Sequence, residues 1–276
     1  CPGWIKYMEY HYPDQLDHLS SCKSPQQMFG ALVKNYLPEK IGVPAKNICH
    51  ISIMPCVAKK YEYNRPEMES ENGRDVDIVL TTREAAKLFK LRGINLATIP
   101  DAEFDKFMGE GSGAGRIFGT TGGVMEAALR TVVWKLTGGK VDQIDYHTVR
   151  GYRGLKEATL TIGDMEVKVA IVNGIGNVRA VMEDIRAGKS PYHFIEVMAC
   201  PGGCLNGGGA PLTASPDMVA ERMEQIYESD RKNPVRRSHE NEEVQSLYRE
   251  YLGEPCGHLS HHLLHTTYVD RSGEVK

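Results

Sequence analysis

Long apolar runs are the first thing missing. Across 276 residues, 41% of them hydrophobic, no segment approaches the roughly 20 consecutive apolar residues of a bilayer span, and no signal peptide is visible. Runs of like charge are missing too. With 33 Lys and Arg against 36 Asp and Glu the net charge is -3, which recommends neither nucleic acid nor a membrane surface as a partner. There is no repeated C-x2-C or C-x4-C pair of the kind zinc sites use. Seven cysteines, an odd number in a chain of this size, do not compose a disulfide framework. A reducing, cytoplasmic compartment or metal ligation is the expectation. Two glycine-rich stretches fail as dinucleotide fingerprints. Gly111, Gly113 and Gly115 run into Arg116 without the G-x-G-x-x-G order after a strand, and GIGNVR at Gly174 fails likewise. No solenoid period or low-complexity tract is present.

What is present centres on Phe194 to Gly209, FIEVMACPGGCLNGGG. Its first half is apolar, too short for a helix and bounded by glycines, and so reads as a buried strand. Cys200 and Cys204 follow in a loop with Gly202 and Gly203, where backbone N–H groups can approach an anionic metal-sulfur centre without Cβ interference. A glycine-rich turn with two buried thiols, or half of a zinc site, are the plainer alternatives. An internal echo favours the metal. Ile51 to Cys56 repeats the pattern of Ile195 to Cys200, each ending Met-x-Cys. Two strands that end alike deliver Cys56 and Cys200 to the carboxyl side of a sheet, where α/β proteins bind ligands.

Periodicity and punctuation sketch the remaining elements. Helices are expected over Pro25 to Tyr36 with Ser24 as cap, from the Thr81 and Glu84 capping box to Arg92, and over Gly123 to Leu136. Others are expected over Asn177 to Ala187, from Pro216 to about Arg231 with Ser215 as cap, and from Ser238 to Gly253. Strands are expected over Ile48 to Met54 and Val76 to Leu80. A hairpin of Ala158 to Ile162 with Glu166 to Val172 turns at Gly163-Asp164. Leu16 to Ser24, Lys59 to Arg74 and Asp101 to Gly119 read as irregular. His258, His261, His262 and His265 put a His-x3-His pair on one helical face, and a surface or core edge is preferred there to a second metal.

Cys22, Cys49 and Cys256 lie in ordinary surroundings. Cys1, Cys56, Cys200 and Cys204 sit beside Pro or Gly at loop starts, and four thiolates from three separated places suit a cubane iron-sulfur cluster assembled by folding.

Three stretches carry a family resemblance: CPGW at the start, MPCVAKKYE from Met54 to Glu62, and EVMACPGGCLNGGG from Glu196 to Gly209. Together they resemble the signatures of the catalytic domain of FeFe (iron-only) hydrogenases. The SSCKSPQQ, SGAGRIFGTTGGVMEAALR and YHFIEV stretches are similar as well, so the resemblance covers nearly the whole chain. It implies an H-cluster, a four-iron four-sulfur cluster bridged by a cysteine to a two-iron unit with CO, CN and dithiolate ligands. Cys1, Cys56 and Cys200 would ligate the cubane, and Cys204 would ligate it and bridge to the two-iron unit. Lys59 would donate to cyanide with Glu62 as its orienter. Met54, Met198, Gln26 and Phe118 would line the centre beside Gly202 and Gly203. Ser20 and Glu62 match positions associated with proton movement.

The implied architecture is α/β and two-lobed, with mostly parallel sheets flanked by helices and the metal between lobes at strand carboxyl ends. Approximate lobes are 1–120 and 121–276. The family carries a further proton-relaying cysteine directly before the position of Cys1, so this chain is expected to be the larger part of a catalytic domain completed by upstream residues. The implied activity is reversible dihydrogen oxidation and proton reduction. Its partners would be ferredoxin or an NAD(P)-linked electron-transfer subunit, with upstream iron-sulfur domains in the same polypeptide. A scaffold in iron-sulfur protein maturation and a hydrogen sensor are the alternatives.

Overall fold

A computed structural model describes residues 1–151, 154–212 and 215–274. In chain order the helices are α1 (Pro2–His11), α2 (Pro25–Asn35), α3 (Leu37–Ile41), α4 (Lys59–Glu62), α5 (Thr82–Leu91), α6 (Gly113–Ile117), α7 (Gly123–Leu136), α8 (Val178–Arg186), α9 (Pro216–Arg231), α10 (Glu242–Leu247) and α11 (His258–Leu264). The strands are β1 (Ile51–Met54), β2 (Glu69–Ser70), β3 (Gly73–Arg74), β4 (Ile78–Thr81), β5 (Leu155–Ile162), β6 (Met165–Asn173) and β7 (Phe194–Met198). Mixed α/β is the class the sequence implied. Among the described residues no helix is long and apolar enough to cross a membrane.

Two compact units emerge, and their bounds differ from lobes 1–120 and 121–276. One, here the Cys56 unit, comprises Pro2–Gly109, Gly208–Pro211 and Ser246–Lys276; the other, the Cys200 unit, comprises Cys1, Glu110–Gly207 and Leu212–Gln245. The physical reason for the difference is the tail. Leu247, Leu252, Leu263 and Leu264 bury themselves against Ala31, Leu32 and Tyr36 of the α2 region, a long-range core that no local pattern announces.

In the Cys56 unit β1 pairs parallel with β4, Met54 opposite Thr81. The capping box forms in both directions. Thr81 Oγ1 accepts from Glu84 N–H at 3.2 Å and Glu84 Oε2 accepts from Thr81 N–H at 2.8 Å, so α5 starts where the strand ends. α2 passes close to the segment between β3 and β4, because a Cβ on Gly30 would stand 2.4 Å from the Asp75 carbonyl oxygen. Helix α1 lies outside the sequence expectations. Its aromatic, polar composition hides a fully buried Glu9, which takes both terminal nitrogens of Arg65 at 2.7 and 3.0 Å.

In the Cys200 unit β5 and β6 form the expected antiparallel hairpin, and β6 pairs parallel with β7, Asn173 opposite Met198. Val169, Ala170, Ile171 and Val172 are all buried. Onto this sheet α7 lays Met125, Leu129 and Val133, with Tyr146 and Val149. The edge of the unit is closed by charge rather than oil. Arg130, fully buried, donates to both oxygens of Asp230 on α9 at 2.8 Å and to Glu126 at 2.8 Å, while Arg236 reaches Asp230 at 2.6 Å.

Removing one member of a buried ion network strands its partners without water. Asp230→Ala should therefore cost about 3–5 kcal/mol of stability, read as an earlier denaturant midpoint, and a loss below 1 kcal/mol would show that the arginines find other acceptors.

Candidate metal centre

β1 ends because Pro55 has no N–H to continue the ladder. Cys56 comes next, half-buried, and the chain turns directly into α4. The far end of the glycine motif docks on this turn. Gly209 N–H donates to the Pro55 carbonyl at 3.0 Å, and Arg83 N–H and Nη2 hold the carbonyls of Gly209 and Gly208 at 3.2 and 2.6 Å. A Cβ on Gly209 would stand 2.8 Å from the Thr81 side chain and 3.1 Å from the Cys56 nitrogen. Glycine is therefore required by proximity to the cysteine loop.

α4 contributes Lys59 and Glu62, three residues apart on one face. Lys59 Nζ meets Glu62 Oε2 at 2.7 Å, and both side chains are at most 10% exposed. The same carboxylate oxygen accepts from Ser24 Oγ at 2.9 Å and Gln26 Nε2 at 3.3 Å, and Gln26 Oε1 accepts from Ser52 Oγ at 2.7 Å. Glu62 thus orients Lys59 and is itself pinned by α2. This corrects Ser24, whose hydroxyl makes no helix cap and holds Glu62 instead. Ser20 stands exposed, its hydroxyl accepting Cys22 N–H at 3.4 Å. Met54 is half-buried beside the loop.

In the Cys200 unit, Gly203 N–H donates to the Cys200 carbonyl at 3.0 Å, closing a turn between the two cysteines. Gly202 and Gly203 take φ of 88° and 97°, conformations that favour glycine. The turn Gly119 to Gly123 grips this loop. Thr121 N–H donates to the Gly202 carbonyl at 3.1 Å and Leu205 N–H to the Gly119 carbonyl at 3.0 Å. A Cβ on Gly203 would sit 2.7 Å from the Thr121 nitrogen. From the end of β6, Asn173 Oδ1 accepts both Gly202 N–H at 2.9 Å and Thr121 Oγ1 at 3.0 Å. From β7, Glu196 accepts Gly122 N–H at 2.6 Å and Met125 N–H at 2.7 Å at the start of α7. Burial pushes its carboxyl up to about 7 although those N–H donors pull the other way. Met198 is buried, and Phe118 packs with Ile117, Tyr227 and Ile226 as a core aromatic.

Asn173, Thr121 and Glu196 went unmarked in the sequence reading. Asn173 ends a strand of the hairpin, and only the β6–β7 register sets its amide beside Gly202. Among the described residues no disulfide joins the cysteines; Cys1 is exposed, and Cys56, Cys200 and Cys204 are half-buried. Cys1 belongs with Cys200 and Cys204 in one unit although Pro2 opens the other. Among the described residues no three His, Cys, Asp or Glu side chains close on a single metal ion. Soft thiol donors on a loop of glycines without Cβ fit a cluster. His261 and His265 stack at 4.4 Å, with Ser21 Oγ 2.8 Å from His265 Nδ1.

The class so defined is an α/β protein that presents soft thiol ligands at the carboxyl ends of parallel-paired strands. Residues 1–208 match the iron only hydrogenase large subunit, C-terminal domain, and residues 216–271 the iron hydrogenase small subunit. The chain belongs to the iron-only hydrogenase large-subunit family. It is 46% identical over 272 residues to the NADP-reducing hydrogenase subunit HndD of Solidesulfovibrio fructosivorans, covering 98% of this chain and 46% of that protein. A solved variant of the FeFe-hydrogenase HydA1 from Chlamydomonas reinhardtii superposes with a TM-score of 0.84 at 42% identity, over 98% of this chain and 75% of that one. A cytosolic Fe-S cluster assembly factor, narfl of Danio rerio, is 34% identical over 97% of this chain and 67% of that protein. The chain spans about half the length of the curated hydrogenases it matches.

Gly203→Ala should displace the loop from the Gly119–Thr121 turn, since its methyl overlaps a backbone nitrogen that cannot move aside. Iron and sulfide reconstitution of that variant should yield less than about half of any iron-sulfur absorbance the wild type develops, given the strain of a non-glycine residue at positive φ. Wild-type absorbance would show that the turn yields.

Proposed function

We propose that this chain is the catalytic core of an FeFe hydrogenase, interconverting dihydrogen with protons and electrons. The single observation that carries the reading is the buried Lys59 and Glu62 pair beside Cys56, held by Ser24 and Gln26. A buried ammonium is costly unless it is paired and hydrogen-bonded, as Lys59 is by Glu62. Here Lys59 keeps further N–H donors for an anionic ligand while Glu62 fixes its direction.

When bound, an H-cluster would supply the redox chemistry and the acceptor for dihydrogen. Cys1, Cys56, Cys200 and Cys204 would hold it, with Cys204 shared between the cubane and the two-iron unit. Lys59 would donate to cyanide nitrogen. Met54 and Met198 would present soft apolar surface, and Gln26 and Phe118 would bound the pocket. Gly202 and Gly203 would let backbone N–H groups reach cluster sulfur. Glu62, with Ser24 at 2.9 Å, and the exposed Ser20 are the groups through which this chain would handle protons.

Dihydrogen and protons are thus the proposed substrates, and a ferredoxin or an NAD(P)-linked subunit the electron partner, with iron-sulfur domains upstream in the polypeptide. The proposed compartment is cytoplasmic. The likeness to the assembly factor of Danio rerio keeps a second reading, an iron-sulfur scaffold without the two-iron unit. Infrared bands of metal-bound carbonyl and cyanide, with hydrogen evolution, separate the two. Their absence from protein matured with its assembly machinery leaves the scaffold.

Cys204→Ser should lose hydrogen turnover and the infrared bands while retaining more of the cubane signal, because only Cys204 would join two metal units. Full activity in that variant removes the bridging role. Lys59→Asn keeps a donor and deletes the charge, so the loss of a charge-assisted bond worth roughly 1.5–3 kcal/mol should lower two-iron occupancy with cubane absorbance little changed. Normal cyanide bands and normal turnover would make Lys59 an ordinary buried lysine.

A further inference from the structure

β1 faces its one polar residue inward. Ile51 and Ile53 are each 51% exposed, while Ser52 between them is only 6% exposed. The residue paired with it on β4, Val79, is buried as well, so packing alone would place an apolar β-branched side chain at position 52. A hydroxyl there costs stability unless it is hydrogen-bonded. Ser52 Oγ donates its proton to Gln26 Oε1 at 2.7 Å.

We infer that Ser52 aims Lys59, acting through Gln26 and Glu62. The role rests on the proposed function, in which Lys59 donates to an anionic cluster ligand. α4 spans only Lys59–Glu62, a single turn too short to hold its own side chains in one direction, so the direction has to come from neighbours. Three donors converge on the one oxygen Glu62 Oε2: Lys59 Nζ at 2.7 Å, Ser24 Oγ at 2.9 Å and Gln26 Nε2 at 3.3 Å. The amide link is the longest of these and depends most on how the amide is turned. With its nitrogen toward Glu62, Gln26 has its oxygen toward Ser52; turned over, its oxygen would face the carboxylate. The Ser52 hydroxyl holds the working orientation by donating to that oxygen. Without it the buried Oε1 has no donor, the amide turns to find one, and Glu62 is left with Ser24 alone to resist the swing of Lys59. Ser52 reaches Lys59 only through two other side chains and is therefore a positioning residue.

Ser52→Thr and Ser52→Val are matched in shape and differ by the hydroxyl, which separates hydrogen bonding from volume, and Ser52→Ala removes the hydroxyl without adding bulk. In the full chain before maturation, proton exchange of the Lys59 ammonium can be followed by nitrogen-resolved NMR, its signal identified by its absence from Lys59→Asn. Ser52→Val and Ser52→Ala should speed that exchange about tenfold, the factor that one lost hydrogen bond represents, and Ser52→Thr should leave it near wild type. After maturation, the infrared cyanide bands should shift in the Val and Ala variants and stay in place in the Thr variant. Denaturant midpoints show that each variant is folded. Exchange and bands that are the same in the Thr and Val variants overturn the assignment. A lowered denaturant midpoint with neither signal changed also overturns it and makes Ser52 an ordinary buried hydroxyl. If the matured wild type shows no carbonyl or cyanide bands while Lys59 exchange still follows the hydroxyl, the hydrogenase reading falls and the positioning of Lys59 by Ser52 stands.

Discussion

The close approach of Gly203 to the Gly119–Thr121 turn is the constraint from which the Cys200 unit takes its shape. A Cβ there would stand 2.7 Å from a backbone nitrogen and 2.8 Å from a backbone oxygen. Neither is the end of a flexible side chain, so nothing can yield cheaply. With the loop pressed this close, the peptide groups of Gly202 and Leu205 find partners in the opposing turn and in Asn173. The cysteine spacing then follows from main-chain hydrogen bonds. Thiols on a loop fixed in this way would need little reorganisation to take up the proposed cluster.

Buried carboxylates do the corresponding work elsewhere, each satisfied from several sides. Glu9 takes Arg65 and the Val269 N–H; Glu62 takes Lys59, Ser24 and Gln26; Glu196 takes two N–H groups at the start of α7; Asp230 takes Arg130 and Arg236. Each joins segments far apart in sequence. Ion pairs of this type add little net stability against an apolar replacement, yet losing one partner is expensive. They specify which segments meet more than they strengthen the meeting. Asp230 and Arg236 lie within the segment that matches the small subunit, and Arg130 and Glu126 within the large-subunit match. These four residues all lie in the Cys200 unit, where charge ties a part of one matched region to a part of the other.

Much was legible in the residues alone. The Met-x-Cys echo placed Cys56 and Cys200 after strands, and β1 and β7 do end two residues before them, each with a parallel neighbour. The Thr81 capping box and the Gly163-Asp164 hairpin follow from rules acting within four residues, and both formed. Pro216 opened α9, while Ser215 and Ser24 gave no side-chain cap. Local rules give hydroxyls a cap role by default; for Ser24 the carboxylate of Glu62 offered a charged acceptor instead. α1 escaped because its stabilising partner, Arg65, lies more than fifty residues away.

Composition and element patterning by themselves determined the mixed α/β class, and strand-ending cysteines beside Pro or Gly marked the four candidate ligands, because these depend on residue type and short spacing; Lys59 was singled out by the family resemblance. Tertiary structure alone decided that Ser24 and Gln26 pin the carboxylate of Glu62 that was expected to orient Lys59, and that Asn173 and Thr121 hold the cysteine turn. It also decided that the tail from Ser246 packs beside α2 instead of with its sequence neighbours. Those facts come from strand register and from burial between distant segments, and no periodicity in a single stretch of chain carries that information.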